Sequence, residues 1–158
     1  MLHVVLIQPE IPPNTGNIGR LCLAANAHLH LIGPLGFRLD NRALRRAGMD
    51  YWKFLQWTLW DSWEAFWGRL AGDARLFFFE TGRGCSTRSL WELLFRDGDY
   101  LIFGRESFGI PKSLLNSGLG TIVEIPMFHC RSRSLNLSNA VAIALYEALR
   151  QIDQKNSD

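Results

Sequence analysis

Apolar residues along this chain fall in short continuous runs. Leu2 to Ile7 is apolar except for His3, and its Val-Val-Leu-Ile core has the composition of a strand covered on both faces, as in parallel sheets. Leu29 to Ile32, Arg75 to Phe79, Tyr100 to Phe103 and Thr121 to Ile125 repeat that pattern, and Lys53 to Leu59 is an aromatic strand candidate. Between these runs the spacing becomes helical. Pro9, Pro12 and Pro13 break the chain, after which Asn14 or Thr15 can cap a helix over about Gly16 to Asn26. An arginine-rich helical turn is predicted from Asn41 to Ala47, ended by Gly48. A short helix over Ser62 to Leu70 would bury Trp63, Phe66 and Trp67. Leu135 to Ile152 is the longest helix, with Leu137, Val141, Leu145, Leu149 and Ile152 at helical spacing. The alternation predicts an α/β fold with a parallel sheet, in one domain over residues 1–152 followed by a frayed polar tail, 153–158.

Composition narrows the class. The chain has 158 residues, 47% of them hydrophobic, enough for one well-filled core. Three cysteines, Cys22, Cys85 and Cys130, are odd in number and far apart, which suggests neither a disulfide framework nor a metal site. No apolar run approaches the roughly 20 residues of a membrane span, and a soluble cytoplasmic protein is expected. The net charge of +2 argues only weakly for nucleic acid. The choice of base says more, because 14 of the 17 basic residues are arginine, whose planar fork grips phosphate. Arg42, Arg45 and Arg46, then Arg83 and Arg88, then Arg131 and Arg133 cluster beside Gly, Ser or Asn. Each alone is adequately explained as a solvated surface charge; together they are candidate ligand contacts.

Three segments carry candidate chemistry. Asn14 to Arg20 reads N-T-G-N-I-G-R at the start of the first helix, where free amides and the dipole favour an anion. Its Gly16-x-x-Gly19 spacing does not meet the dinucleotide fingerprint, and plain turn chemistry would also explain the glycines. Phe103 to Pro111, F-G-R-E-S-F-G-I-P, follows a strand. Gly104 and Gly109 there flank Glu106, either to admit a flat ligand or as an ordinary loop with a capping carboxylate. Ile125 to Ala140 joins a proline-ended strand, an Arg/Ser loop and a helix start at which Ser134 or Asn136 can cap. Asn136, Ser138 and Asn139 are more polar groups than a cap requires.

The order N-x-G-N-x-x-R, then G-x-E-x-x-G-I-P, then I-P-M followed by S-R-S-x-N-L-S-N-A-V resembles the three motifs of the SPOUT superfamily of RNA 2′-O-methyltransferases. Pro9-Glu10-Ile11-Pro12, Leu44 to Gly48 with Asp50-Tyr51, Gly98-Asp99-Tyr100 and Tyr146-Glu147-Ala148 are similar to the TrmL branch, which methylates the wobble ribose of tRNA. The resemblance spans essentially the whole chain. It implies an α/β knot fold with a C-terminal trefoil knot and S-adenosylmethionine (SAM) as methyl donor. By resemblance, Glu80, Thr81, Gly82, Gly104, Glu106, Ile125, Met127, Ser134, Leu135 and Ser138 would hold the cofactor. Arg20, Asn14, Glu106, Ser134 and Asn136 would serve catalysis, and Arg20, Arg42, Arg45, Arg46, Arg83, Arg131 and Arg133 the RNA. An arginine remains protonated under ordinary conditions, so a phosphate clamp that steadies a developing alkoxide suits Arg20 better than general-base work. The implied partners are a tRNA anticodon stem-loop, with leucine tRNA the expected acceptor at cytidine or modified uridine, and a second copy of the chain through the long C-terminal helix bearing Tyr146. Neither a membrane nor a metal is implied. Competing expectations are methylation at another tRNA or rRNA position and a non-catalytic RNA-binding protein of the same fold.

The chain departs from the family pattern at Gln8 (often Glu), Arg105 (usually Pro or Ser) and Phe108 (frequently Arg). The Phe128 to Arg133 loop is one residue longer, and the Glu80 to Gly84 segment is shifted. The tryptophans at 52, 57, 60, 63 and 67 are expected mainly to pack the core.

Overall fold

The computed structural model describes residues 1–39, 50–81, 87–129 and 131–157. The predicted Asn41 to Ala47 turn, and with it Arg42, Arg45 and Arg46, lies outside these residues, as do Gly82 and Arg83.

Among the described residues seven strands form one sheet: β1 (His3–Ile7), β2 (His28–Ile32), β3 (Trp57–Trp60), β4 (Leu76–Phe79), β5 (Arg88–Ser89), β6 (Tyr100–Phe103) and β7 (Thr121–Glu124). Their order is β3-β2-β1-β6-β4-β7-β5. Every strand pairing in the sheet is parallel, in register from His3↔His28 and His3↔Tyr100 at the centre outward. Among the described residues the α-helices are α1 (Pro12–Ala24), α2 (Trp63–Trp67), α3 (Lys112–Leu115) and α4 (Leu137–Ser157).

Period-two alternation within the apolar runs explains the two layers. Val4 and Leu6 of β1 face a core shared with Ile18 and Cys22 of α1 and Val141, Ala144 and Leu145 of α4. Val5 and Ile7 face the other way, onto Phe66 of α2, Ile102 and Phe78. Both sides of β1 are fully buried, as its unbroken apolar run predicts, and each such side chain contributes about 1.5–3 kcal/mol. Burial also pushes the Cys22 thiol up to about 12, which makes it a packing group and not a nucleophile.

The structure corrects several sequence expectations. α1 begins at Pro12, with Pro12-Pro13 inside its first turn, where the missing N–H groups have no intrahelical partner to lose; Ile11 is the N-cap, and Asn14 and Thr15 lie within the helix. Lys53 and Phe54 belong to a 3-10 turn, Asp50–Phe54, that lays the Trp52 indole on α1, so only Trp57–Trp60 is strand. Burial in α2 falls on Phe66, while Trp67 is 42% exposed and stacks on Trp63 (centroids 6.5 Å apart). α4 starts at Leu137 and continues to Ser157, past Ile152. Two-residue β5 and the 3-10 turn Leu90–Glu92 were not foreseen.

Candidate active site

In a parallel sheet all strands end at the same edge, and ligands collect outside those carboxyl ends. Here the ends of β4, β6 and β7 open into a cleft of about 660 Å³. Its apolar walls come from Phe79, Phe103, Val123, Ile125, Leu137 and Ala140, and its polar groups from Asn14, Thr81, Arg105, Glu106, Arg133, Ser134 and Asn136. The volume falls within the range of small-molecule and cofactor pockets.

A hydrogen-bond relay joins the three motif segments. The Glu106 carboxylate accepts from the backbone N–H groups of Glu10 (2.9 Å) and Ile11 (3.2 Å) and from Asn14 Nδ2 (3.1 Å). Asn136 Nδ2 donates to Asn14 Oδ1 (3.1 Å). Asn136 Oδ1 in turn accepts from the Ser138 N–H (2.9 Å) and hydroxyl (2.7 Å) and from the Asn139 N–H (3.4 Å), capping α4. An ionised carboxylate only accepts, so it fixes which way Asn14 and then Asn136 point; the relay has one polarity from end to end. The carboxylate at the entry to α1 is the protein's own Glu106, held by N–H groups that precede the helix and by the Asn14 amide.

A second carboxylate answers the first. Glu10 accepts from the Ser107 N–H (2.9 Å) and hydroxyl (2.7 and 2.9 Å), which holds its carboxyl below the usual carboxylate range. Neighbouring residues of two loops thus exchange carboxylates. On the far side of the same turn, Glu80 Oε2 accepts from the Ile110 N–H (2.9 Å), while Glu80 Oε1 takes the Thr81 N–H (2.8 Å).

The glycines admit close approach by the chain itself. A Cβ on Gly104 would sit 1.9 Å from the carbonyl carbon of Gly109, so Gly104 is required by the chain's own backbone. Gly109 has φ +68°, and a Cβ there would meet Glu80 Oε2 at 2.3 Å. Gly19 faces Trp52, whose ring carbon would lie 2.6 Å from an added Cβ, and the Tyr51 hydroxyl donates to the Gly16 carbonyl. Gly19 is thus a packing position within α1.

Of the sequence-derived candidates, the cleft gathers Asn14, Glu80, Thr81, Gly104, Glu106, Ile125, Met127, Arg133, Ser134, Leu135 and Asn136. Ser138 lies behind Asn136, hydrogen-bonded to it, outside the lining. Arg20 does not line this cleft; it is exposed on α1 with its guanidinium 4.8 Å from the Tyr51 ring centroid. Six residues beyond Asn14, it sits roughly 9 Å along the helix and about 120° around it. Arg131 is also outside the lining. Sequence reasoning passed over Glu10 and Arg105 as site residues, although the P-E-I-P motif and the departure at 105 marked both.

Among the described residues no group of three or more His, Cys, Asp or Glu could hold a metal ion, and no helix is long and apolar enough to cross a membrane.

Comparison with known proteins bears on the same residues. A family model described as the SpoU rRNA Methylase family matches residues 1–146. The chain is 47% identical over 153 residues, 96% of each chain, to a tRNA (cytidine(34)-2′-O)-methyltransferase of Burkholderia cenocepacia (strain HI2424). A solved structure described as giving structural insights into the 2-OH methylation of C/U34 on tRNA superposes with TM-score 0.87 at 48% identity, covering 96% of this chain and 95% of that one. An AdoMet-bound rRNA methyltransferase of Sinorhizobium meliloti superposes with TM-score 0.79 at 27% identity, covering 94% of this chain and 56% of that one.

Proposed function

The chain belongs to the SpoU rRNA methylase family, and from that premise we propose that it transfers a methyl group from SAM to the ribose 2′-hydroxyl of the wobble nucleotide of tRNA, cytidine or modified uridine, with leucine tRNA as an acceptor. The observation that carries this reading is the one-way relay Glu106–Asn14–Asn136, which holds the three motif segments around one cleft of cofactor size.

The lining fits the cofactor: apolar walls for a nucleoside, with a hydroxyl, an amide and main chain at the strand ends for its polar edge. Thr81, Gly104, Ile125, Met127, Ser134 and Leu135 would hold it there. When bound, SAM supplies a methyl group activated by a sulfonium whose loss of charge drives the transfer. The protein's part is alignment of nucleophile and methyl, together with easing the departure of the hydroxyl proton. Glu106 and Asn14 serve as positioning residues, since their polar atoms are committed to the relay.

Arg20 is the proposed clamp on the phosphate beside the reacting ribose. Its position on α1, turned away from the cleft of its own chain, suits delivery to the cleft of a second subunit, in a homodimer formed through α4 and Tyr146. Arg133 at the cleft and Arg131 near it would meet the RNA. A trefoil knot is part of the same reading: α4 packs on α1 and the sheet centre although β7, the strand before it, lies near the sheet edge, so the chain must cross back past the cleft loops. Acting on tRNA, the protein would work in the cytoplasm.

The test is nucleoside mass spectrometry of tRNA from a strain lacking the gene, with the purified protein and SAM added back. Loss and restoration of one 2′-O-methylated wobble nucleotide is expected; unchanged tRNA would refute the reading. An rRNA ribose is the second reading, favoured by the family description and by the rRNA-methylating structural relative, and rRNA assayed in parallel separates the two. Arg20→Lys should lose most of its turnover while SAM affinity, measured by calorimetry, stays near wild type; near-normal turnover would remove the bidentate clamp.

A further inference from the structure

Phe108 is 81% exposed at the edge of the cleft, on a turn that cannot give way to bury it. The backbone closes on itself there, Arg105 N–H to Gly109 carbonyl (3.2 Å) and Gly109 N–H to Arg105 carbonyl (2.8 Å). Outside that closure the turn is pinned by Glu10 at Ser107 and by Glu80 at Ile110. Arg105 adds a cation 5.8 Å from the ring centroid, itself held by donating to Gln8 Oε1. The three positions at which this chain departs from the SPOUT pattern in and beside this turn, Gln8, Arg105 and Phe108, are thus one contact unit.

A rigidly held phenyl face open to solvent, beside a guanidinium and continuous with a pocket that Arg133 also lines, is matched by a flat aromatic group carrying negative charge nearby. A nucleobase with its phosphate has that chemistry, and its π-face needs no particular sequence. We propose that Phe108 is a stacking platform for one nucleobase of the bound RNA, next to the nucleotide that enters the cleft, with Arg105 holding the ring and meeting the adjoining phosphate. The inference rests on the RNA reading above and adds to it the residue that holds a neighbouring base.

The experiment uses a synthetic tRNA anticodon stem-loop carrying 2-aminopurine on either side of the acceptor nucleotide in turn. Wild-type protein should quench the fluorescence at one of the two positions. Phe108→Ala should lose that quenching and weaken RNA binding roughly 5- to 100-fold, with SAM affinity and thermal unfolding close to wild type. Phe108→Trp should restore both. Quenching that survives in Phe108→Ala, or Trp and Ala variants that bind equally weakly, overturns the proposal. So does a Phe108→Ala protein whose subunit number changes, since the ring would then cover a second copy. Wild-type protein that binds and quenches without methylating would refute the proposed function and leave the platform standing; wild-type protein that binds no RNA refutes both.

Discussion

Glu106 shows how much depends on one acceptor. Its two oxygens take two main-chain N–H groups and one amide, and the direction of the whole Asn14–Asn136 relay follows from its having no proton to give. Glu106→Gln replaces an acceptor oxygen with a donor that must face one of those donors. We expect a loss of about 0.5–1.5 kcal/mol, as for a hydrogen bond lost at a half-buried site, read as a lower urea midpoint with unchanged slope, together with weaker SAM binding. A variant of wild-type stability would show the relay to be incidental. Asn14, Glu106 and Asn136 were each legible in the sequence as polar residues placed beside apolar faces or glycines. Their partnership was not, because they meet across 92 and 122 positions and no local rule spans such distances. The close contacts of the glycines were hidden for a related reason: a position that must be bare looks the same whether a ligand or the chain's own backbone approaches it.

At the scale of elements, the central strands carry a titratable cluster that belongs to none of the three motifs. His3 of β1 and His28 of β2 pair in register, and His30 follows on the same face. His3 Nδ1 and His30 Nε2 lie 3.0 Å apart, Trp60 donates to His30 Nδ1 at 3.1 Å, and Tyr100 stacks on His3. Burial, then the neighbouring imidazoles, lowers His30 to about 3 and His3 to about 4, while burial lowers His28 as well. The folded state therefore binds fewer protons than the unfolded chain below about pH 6.5. Stability from this source is complete above that pH and lost progressively as pH falls towards 3. Thermal unfolding followed from pH 8 to pH 4 should show it, and His30→Phe should flatten the acid limb; an unchanged limb would place the effect elsewhere. The strands themselves were legible because continuous apolar runs signal burial on both faces. The start of α1 and the 3-10 turn at Trp52 were not, since Pro-Pro reads as a break and aromatic runs read as strand until the partner surface is known.

For the whole molecule, the outer face of α4 is the unsettled surface. Tyr146 and Ile143 are 51% and 41% exposed there, and Arg20 of α1 lies outside its own cleft. If a second chain covers that face, Ile143→Asp with Tyr146→Asp should elute as a monomer on gel filtration and lose methyl transfer, and mixing it with Arg20→Ala should not restore full activity. A double variant that stays dimeric, or an active monomer, would contradict this. Seen across the molecule, the meeting of main chain with main chain at Gly104 and Gly109 has a further effect. A wall made of peptide groups offers no side chain to exchange, so that stretch of the cleft is closed to point mutation. Anyone wishing to retool this protein for a bulkier alkyl donor would have to work from the side-chain lining, at Thr81, Ile125, Met127 and Leu135, leaving the glycine turn as it stands.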